Sequence, residues 1–199
     1  SGNIIARNVG APGTQGNRYQ ESDAVALWVQ DRIEIGKLTL IPGLRYEHVD
    51  QSFEDFNSGD SGSNTFDLFS PGIGFNYKLE NSAVVYGGVY RGISIPGPRS
   101  AARGGVNEEE SLGYELGYRY QSPKVSYDLT AFFTDFDNLI GTDAGVGVLD
   151  NSQNVGEAEV FGLEAQISYD PFAGSGSDFS MPMYLSATWT DATLTSTIN

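Results

Sequence analysis

Apolar and polar residues alternate with period two along eight stretches of about 10 to 14 residues, the spacing of the two faces of a β-strand, and helical periodicity is hard to find. In 24–35, Val25, Leu27, Val29, Ile33 and Ile35 share one face, broken by Asp31, with Trp28, Gln30, Arg32 and Glu34 on the other. Gly36-Lys37 turns the chain into 38–50, where Leu38, Leu40, Leu44 and Tyr46 alternate with Thr39, Gly43, Arg45 and Glu47. In 66–79, Phe69, Ile73, Phe75, Tyr77 and Leu79 oppose Ser70, Gly72, Gly74, Asn76 and Lys78. After Asn81-Ser82 comes 83–94, whose orientation is open because both parities are apolar: Val84, Tyr86 and Tyr90 against Val85 and Val89. The stretch 110–120 interleaves Leu112, Tyr114, Leu116, Tyr118 and Tyr120 with Gly113, Glu115, Gly117 and Arg119. Across Ser122-Pro123-Lys124, 125–137 sets Val125, Tyr127, Leu129, Ala131 and Phe133 against Ser126, Asp128, Thr130 and Thr134. Phe161, Leu163, Ala165, Ile167 and Tyr169 mark 157–169, and a longer turn, 170–181, leads to Met183, Leu185, Ala187 and Trp189 in 182–193.

These strands exceed the common length of about 5–6 residues. Short turns join them at one end, and the polar loops 51–65, 95–109 and 138–156 join them at the other. That combination predicts an all-β fold, an antiparallel transmembrane barrel whose apolar face meets lipid. Tyr77, Tyr118, Tyr120, Tyr127 and Tyr169 fall near the short-turn ends, as an interfacial aromatic girdle or as ordinary cross-strand tyrosine packing. Both chain ends emerge on the long-loop side, so the eight strands are expected to be an arc of a larger barrel. The glycines at 43, 72, 74, 113, 117 and 162 are expected to leave space in a wide lumen.

Composition narrows the chemistry. A net charge of −15 argues against nucleic acid as a partner, because phosphate backbones repel acidic surfaces. With no Cys, a disulfide framework, thiolate zinc site or cysteine nucleophile is excluded. No apolar run approaches the roughly 20 residues of a spanning helix. His48 is the one histidine, too few for a usual transition-metal site, and its expected role is interfacial. The acidic residues Glu47, Asp50, Glu54, Asp55 and Asp60 read as a solvated loop, since they lack the spacing of a calcium loop. Without a Gly-x-Ser-x-Gly elbow, and with Glu108, Glu109 and Glu110 beside a loop rather than in an apolar pocket, no catalytic residue is assigned. No resident cofactor or metal is expected.

Three stretches carry a family resemblance. Tyr86-Gly87-Gly88-Val89-Tyr90-Arg91-Gly92-Ile93-Ser94-Ile95-Pro96 resembles a strand ending in Arg-Gly-Phe and proline, with Ile93 where Phe is usual. Asn107-Glu108-Glu109-Glu110-Ser111-Leu112-Gly113-Tyr114-Glu115-Leu116-Gly117-Tyr118-Arg119 resembles a Glu-Glu opening followed by Tyr-Glu-x-Gly-x-Arg. Asn154-Val155-Gly156-Glu157-Ala158-Glu159-Val160-Phe161-Gly162-Leu163-Glu164 resembles Asn-x-Gly-x-Ala-x-x-x-Gly-x-Glu. In this order they are similar to the barrel of TonB-dependent outer-membrane receptors, most like the ferric dicitrate and ferric siderophore branch.

The resemblance implies that residues 1–199 belong to one barrel domain of about 22 strands with a plugged lumen. It implies that the plug lies outside these residues, and that the barrel sits in the bacterial outer membrane with the long loops extracellular. The implied function is uptake of a ferric siderophore or ferric citrate, carried as cargo and powered by the TonB complex through the plug. Guanidinium groups at the mouth suit such an anionic chelate. The candidates are Arg45 on the inner face and Arg91, Arg99 and Arg103 at the rim. The alternative for the arginines is a wall network, Arg45 with Glu47 and Arg119 with Glu115, with Arg99 and Arg103 solvated. The alternative for the whole chain is an all-β adhesive or partner-binding surface module.

Overall fold

The computed structural model describes residues 17–80, 82–142, 152–176 and 178–197. Its elements are β1 (Arg18–Gln30), β2 (Ile33–Ile35), β3 (Leu38–Asp55), β4 (Asp60–Lys78), β5 (Ala83–Ser94), α1 (Pro98–Arg103), β6 (Glu109–Gln121), β7 (Val125–Asp137), β8 (Ile140–Thr142), β9 (Ser152–Asn154), β10 (Gly156–Tyr169) and β11 (Met183–Thr197). One antiparallel sheet runs β1-β3-β4-β5-β6-β7-β10-β11, and β2 continues beside β3 below β1. Each long strand pairs with the next long strand along the chain, an open up-and-down arc with β1 and β11 at its edges, while the short β8 and β9 pair separately.

The register sorts the side chains onto two faces. On the outer face Leu27 lies opposite Tyr46, Tyr46 opposite Phe69, Leu116 opposite Ala131, and Leu163 opposite Trp189. On β3 this apolar band runs from Leu38 to Tyr46, about nine residues, close to the 9–11 that a tilted spanning strand needs. Tyr77, Tyr118, Tyr120, Tyr127 and Tyr169 all face outward near the short turns. Tyr127 also stacks on Tyr118 at 5.8 Å and on Tyr120 at 5.2 Å, so three of the five outward tyrosines also pack across strands. Toward the long-loop ends the outer face turns acidic, with Asp23 opposite Asp50 and Asp135 opposite Glu159.

The orientation of 83–94 follows from its neighbours. Val85 and Val89 pair with outward Tyr77 and Ile73, so Tyr86 and Tyr90 face inward. There they cover the β6 glycines: a Cβ at Gly113 would come within 2.6 Å of the Tyr90 ring, and one at Gly117 would clash with the hydroxyl edge of the Tyr86 ring. Phe132 covers Gly162 in the same way. The expectation that these three glycines leave lumen space open is therefore corrected. Aromatic rings from neighbouring strands fill it, because a glycine is the residue over which a ring can lie flat against the backbone.

Two further boundaries differ from the sequence reading. The loop 51–65 is mostly strand, since β3 and β4 pair out to Asp55 opposite Asp60 and only Phe56 to Gly59 turn the chain. Gly59, at φ +76°, supplies the left-handed step of that turn. Serine, asparagine and glycine there mimic a loop, but ladder hydrogen bonds are backbone bonds and need no apolar face. In the first strand, Asp31-Arg32 interrupts the ladder opposite Pro42, which has no N–H to donate. Asn81 and residues 143–151 of the third long loop lie outside the described residues.

Candidate functional site

Above the band, the inner face of the β3–β4 hairpin carries the tightest packing in the molecule. Val49, Phe66 and Ala101 form a buried cluster, with Leu68 and Ile95 against it. Ala101 belongs to α1, so the connection 95–108 folds back onto the inner face of the hairpin rather than standing in solvent. Pro98 at the start of α1 fits the first turn, where an N–H has no helical acceptor. A six-residue helix is too short to leave a periodic signal, which is why the sequence reading shows only a loop.

This packing positions two of the candidate arginines. Arg99 and Arg103 are four residues apart and so lie side by side on α1. They face Asp55 and Asp60, which are opposite each other across the hairpin. Two like charges in directly opposed positions repel. Here each has a guanidinium: Arg99 lies 3.7 Å from Asp55, both 15% exposed, and Arg103 bonds Asp60. Both are therefore paired, Arg99 largely buried and Arg103 still partly exposed. Arg45 is also on the inner face, opposite Trp28 and Ser70, and its Nη2 lies 2.7 Å from Glu47 two residues on.

Arg91 stands apart from the other three. It shares the outward parity of Val89, donates to the Phe69 carbonyl at 3.1 Å and pairs with Glu110 at 2.6 Å. The Arg-Gly and Glu-Glu stretches thus meet as one rim contact. The acidic residues of 47–60 divide between faces as well, with Glu47 and Asp55 inward and Asp50 and Glu54 outward, so they do not converge on one ion. His48 faces outward between Asp67, 2.9 Å from Nδ1, and Asp50, 3.5 Å from Nε2.

Deeper on the inner wall, Tyr86 donates to Asp128 at 2.6 Å beside Thr130, and the Arg119 guanidinium lies 4.9 Å over the Tyr86 ring. Arg119 pairs with Asp128 at 2.6 Å, not with Glu115, because Asp128 is its cross-strand partner. Glu115 and Glu164 line the same concave region, of about 630 Å³, which leaves this level net acidic.

Asn154, the residue that opens the third stretch of the resemblance, has a structural role that the sequence pattern did not reveal. Its Oδ1 accepts from the Asn107 amide at 2.8 Å, and its Nδ2 donates to the Asn107 and Asn138 carbonyls at 3.1 and 2.6 Å. One side chain thereby ties two long loops together. Asn154→Ala strands those backbone groups and is expected to lower stability by about 1–3 kcal/mol. Faster proteolysis of loop 95–108 in the folded protein would report it.

Asp55, beyond the band, accepts from the amides of Ser58 and Asn57, which together with Arg99 hold its carboxyl below the ordinary 3.8. A depressed folded pKa means that its stabilisation is complete above the unfolded value and is lost as pH falls through the folded one. The hairpin tip is expected to stay closed from neutral pH to about pH 4 and to loosen below it. Hydrogen exchange of the Asn57 and Ser58 amides, corrected for intrinsic pH dependence, checks this.

The family model described as TonB dependent receptor-like, beta-barrel matches residues 2–199. The chain belongs to that family. The Pesticin receptors of Yersinia enterocolitica and Yersinia pestis are each 25% identical over 150 residues, covering 70% of this chain and 21% of theirs. The chain therefore spans about a fifth of the length of these curated relatives. Among solved structures, the unliganded ferric citrate transporter FecA superposes with TM-score 0.74 at 22% identity, covering 89% of this chain and 27% of that one. The ferric yersiniabactin uptake receptor FyuA from Yersinia pestis gives 0.67 at 21%, covering 88% and 28%. The siderophore receptor PiuA from Acinetobacter baumannii gives 0.68 at 20%, covering 89% and 26%. At these identities the likeness concerns the fold, an arc of about eight strands in a TonB-dependent receptor barrel.

Proposed function

We propose that these residues form part of the wall and mouth of an outer-membrane receptor that takes up an anionic ferric chelate, ferric citrate or a carboxylate-bearing siderophore. The long-loop end faces outside the cell. The observation that supports this reading is the pair Arg99 and Arg103 at the long-loop end of the inner face, with Arg45 lower on the same face. Guanidinium binds carboxylate oxygens bidentately and sheds water more readily than ammonium does, so it suits capture of such a guest. The chain binds and releases cargo without making or breaking bonds in it. Energy comes from the TonB complex acting on a plug outside residues 1–199. The outward apolar band favours a membrane-embedded wall over an adhesive module, which would expose that face to water.

The test uses the full-length receptor in cells that lack other ferric citrate uptake. Radiolabelled iron supplied as ferric dicitrate is expected to accumulate, and Arg45→Ala is expected to reduce accumulation about tenfold by removing one charge-assisted contact. Accumulation of neither ferric dicitrate nor carboxylate siderophores would overturn the reading.

A further inference from the structure

Residues 95–108 form a strap, and its contacts show an unequal fit. The apolar part is closely seated: Pro96 is fully buried, and Ser100 and Ala101 are 5% exposed. A Cβ at Gly62 would come within 2.9 Å of the Ala102 methyl, so α1 rests directly on the β4 backbone. The polar part is less complete. At 3.7 Å the Arg99–Asp55 contact is an ion pair without a hydrogen bond. Arg99 Nε is buried with no protein partner, as is Oε1 of Gln51, whose residue is 6% exposed. Glycines bracket the helix, Gly97 before it and Gly104 and Gly105 after it at φ +75° and +83°, where the backbone turns most freely.

We infer that Asp55 and Asp60 are internal competitors for Arg99 and Arg103, and that they set the negative charge a guest must carry before the mouth accepts it. The inference deepens the proposed function and rests on its reading of an anionic chelate. In the seated state both guanidinium groups are held by protein carboxylates. A guest gains only the difference between its own contacts with the arginines and those it displaces. A neutral chelate offers nothing in exchange and leaves the strap shut. A guest with several carboxylates supplies replacements and completes the hydrogen bonding that Arg99 lacks. Displacement also leaves Asp55 and Asp60 opposed without counter-ions, which raises the threshold further.

The sign of the effect separates competition from support. If the two acids compete, neutralising them strengthens binding. If they orient the arginines for the guest, neutralising them weakens it. The experiment compares the full-length receptor with its D55N/D60N variant in equilibrium binding of ferric dicitrate and of a neutral ferric trihydroxamate. About tenfold tighter binding of ferric dicitrate by the variant, with reduced discrimination against the neutral chelate, is expected. Weaker or unchanged binding of ferric dicitrate overturns the inference.

A second measurement needs no iron. A101C, in a full-length receptor with no other cysteine, is buried on the underside of the strap against Val49 and Phe66 and is expected to react slowly with a charged maleimide. Its labelling is expected to accelerate in the D55N/D60N background, and also when citrate alone is added to the unsubstituted acids. Labelling that responds to neither overturns the competitor. If no ferric chelate binds at all, the proposed cargo fails while labelling still decides whether the acids hold the strap.

Discussion

Replacing Leu163 by Arg is expected to abolish assembly of the full-length receptor into the outer membrane, whereas Gln166→Arg, three residues along β10, is expected to leave it intact. Leu163 is outward, between Ala131 and Trp189 in register, in the middle of the apolar band. A guanidinium near the bilayer midplane costs about 2–4 kcal/mol, and the two residues directly opposite it, Ala131 and Trp189, are apolar. Gln166 has the opposite parity and lies across from Asp128, so a cation at that position gains an acidic neighbour on a wet wall. Leu116→Arg on β6 tests the same band from another strand, since Leu116 pairs outward with Ala131. The measurement is the fraction of receptor in the outer membrane that keeps the fast gel mobility of a folded barrel before heating. Equal assembly of Leu163→Arg and Gln166→Arg would mean that the outer face does not meet lipid.

The second large effect is expected at a glycine. Gly117→Ala should destabilise the barrel by about 1–3 kcal/mol, although alanine is usually the more stabilising residue of the two. The added methyl clashes with the hydroxyl edge of the Tyr86 ring. That ring is not free to step aside: its hydroxyl bonds Asp128, with Thr130 2.7 Å away, and Arg119 lies over its face. Moving it gives up those contacts as well as the packing. If this account is right, Gly117→Ala becomes nearly neutral once Tyr86→Ala has removed the ring, a strong non-additivity. Midpoints of urea unfolding for the two single variants and the double variant, in detergent or lipid, measure it. Additive shifts would mean that the ring does not rest on this glycine.

Much of the wall was legible from local pattern. Parity alone put Leu27, Tyr46, Phe75, Leu116, Leu129, Leu163 and Trp189 on one face, and register agrees at each. It failed on 83–94 because both faces of β5 carry valine or tyrosine, and the decision came from which neighbour each residue meets. Arg91 changes sides with that decision: Tyr90 faces in, so Arg91 faces out toward Glu110. Of the four arginines proposed from sequence, Arg99 and Arg103 lie on the inner side at the long-loop end, Arg45 lies lower on the same face at the level of the apolar band, and Arg91 is on the opposite face. The strap was not legible. Its helix spans fewer than two turns, and its acidic partners lie 43 and 44 residues away in what reads as a polar loop.

The sequence by itself determined the eight long strands, the apolar and polar faces of all of them but β5, the short-turn and long-loop ends, and the outward tyrosines near the short turns. Each of these follows from period two, a property of neighbouring residues that any extended chain expresses. Only the tertiary structure decided which charges meet. The pairing of Arg99 with Asp55, of Arg119 with Asp128 rather than Glu115, and of Asn154 with two loops depends on register and on a connection folding back over a hairpin. Charged and amide side chains accept many partners of similar strength, so geometry selects among them, and that geometry exists only once the sheet has formed.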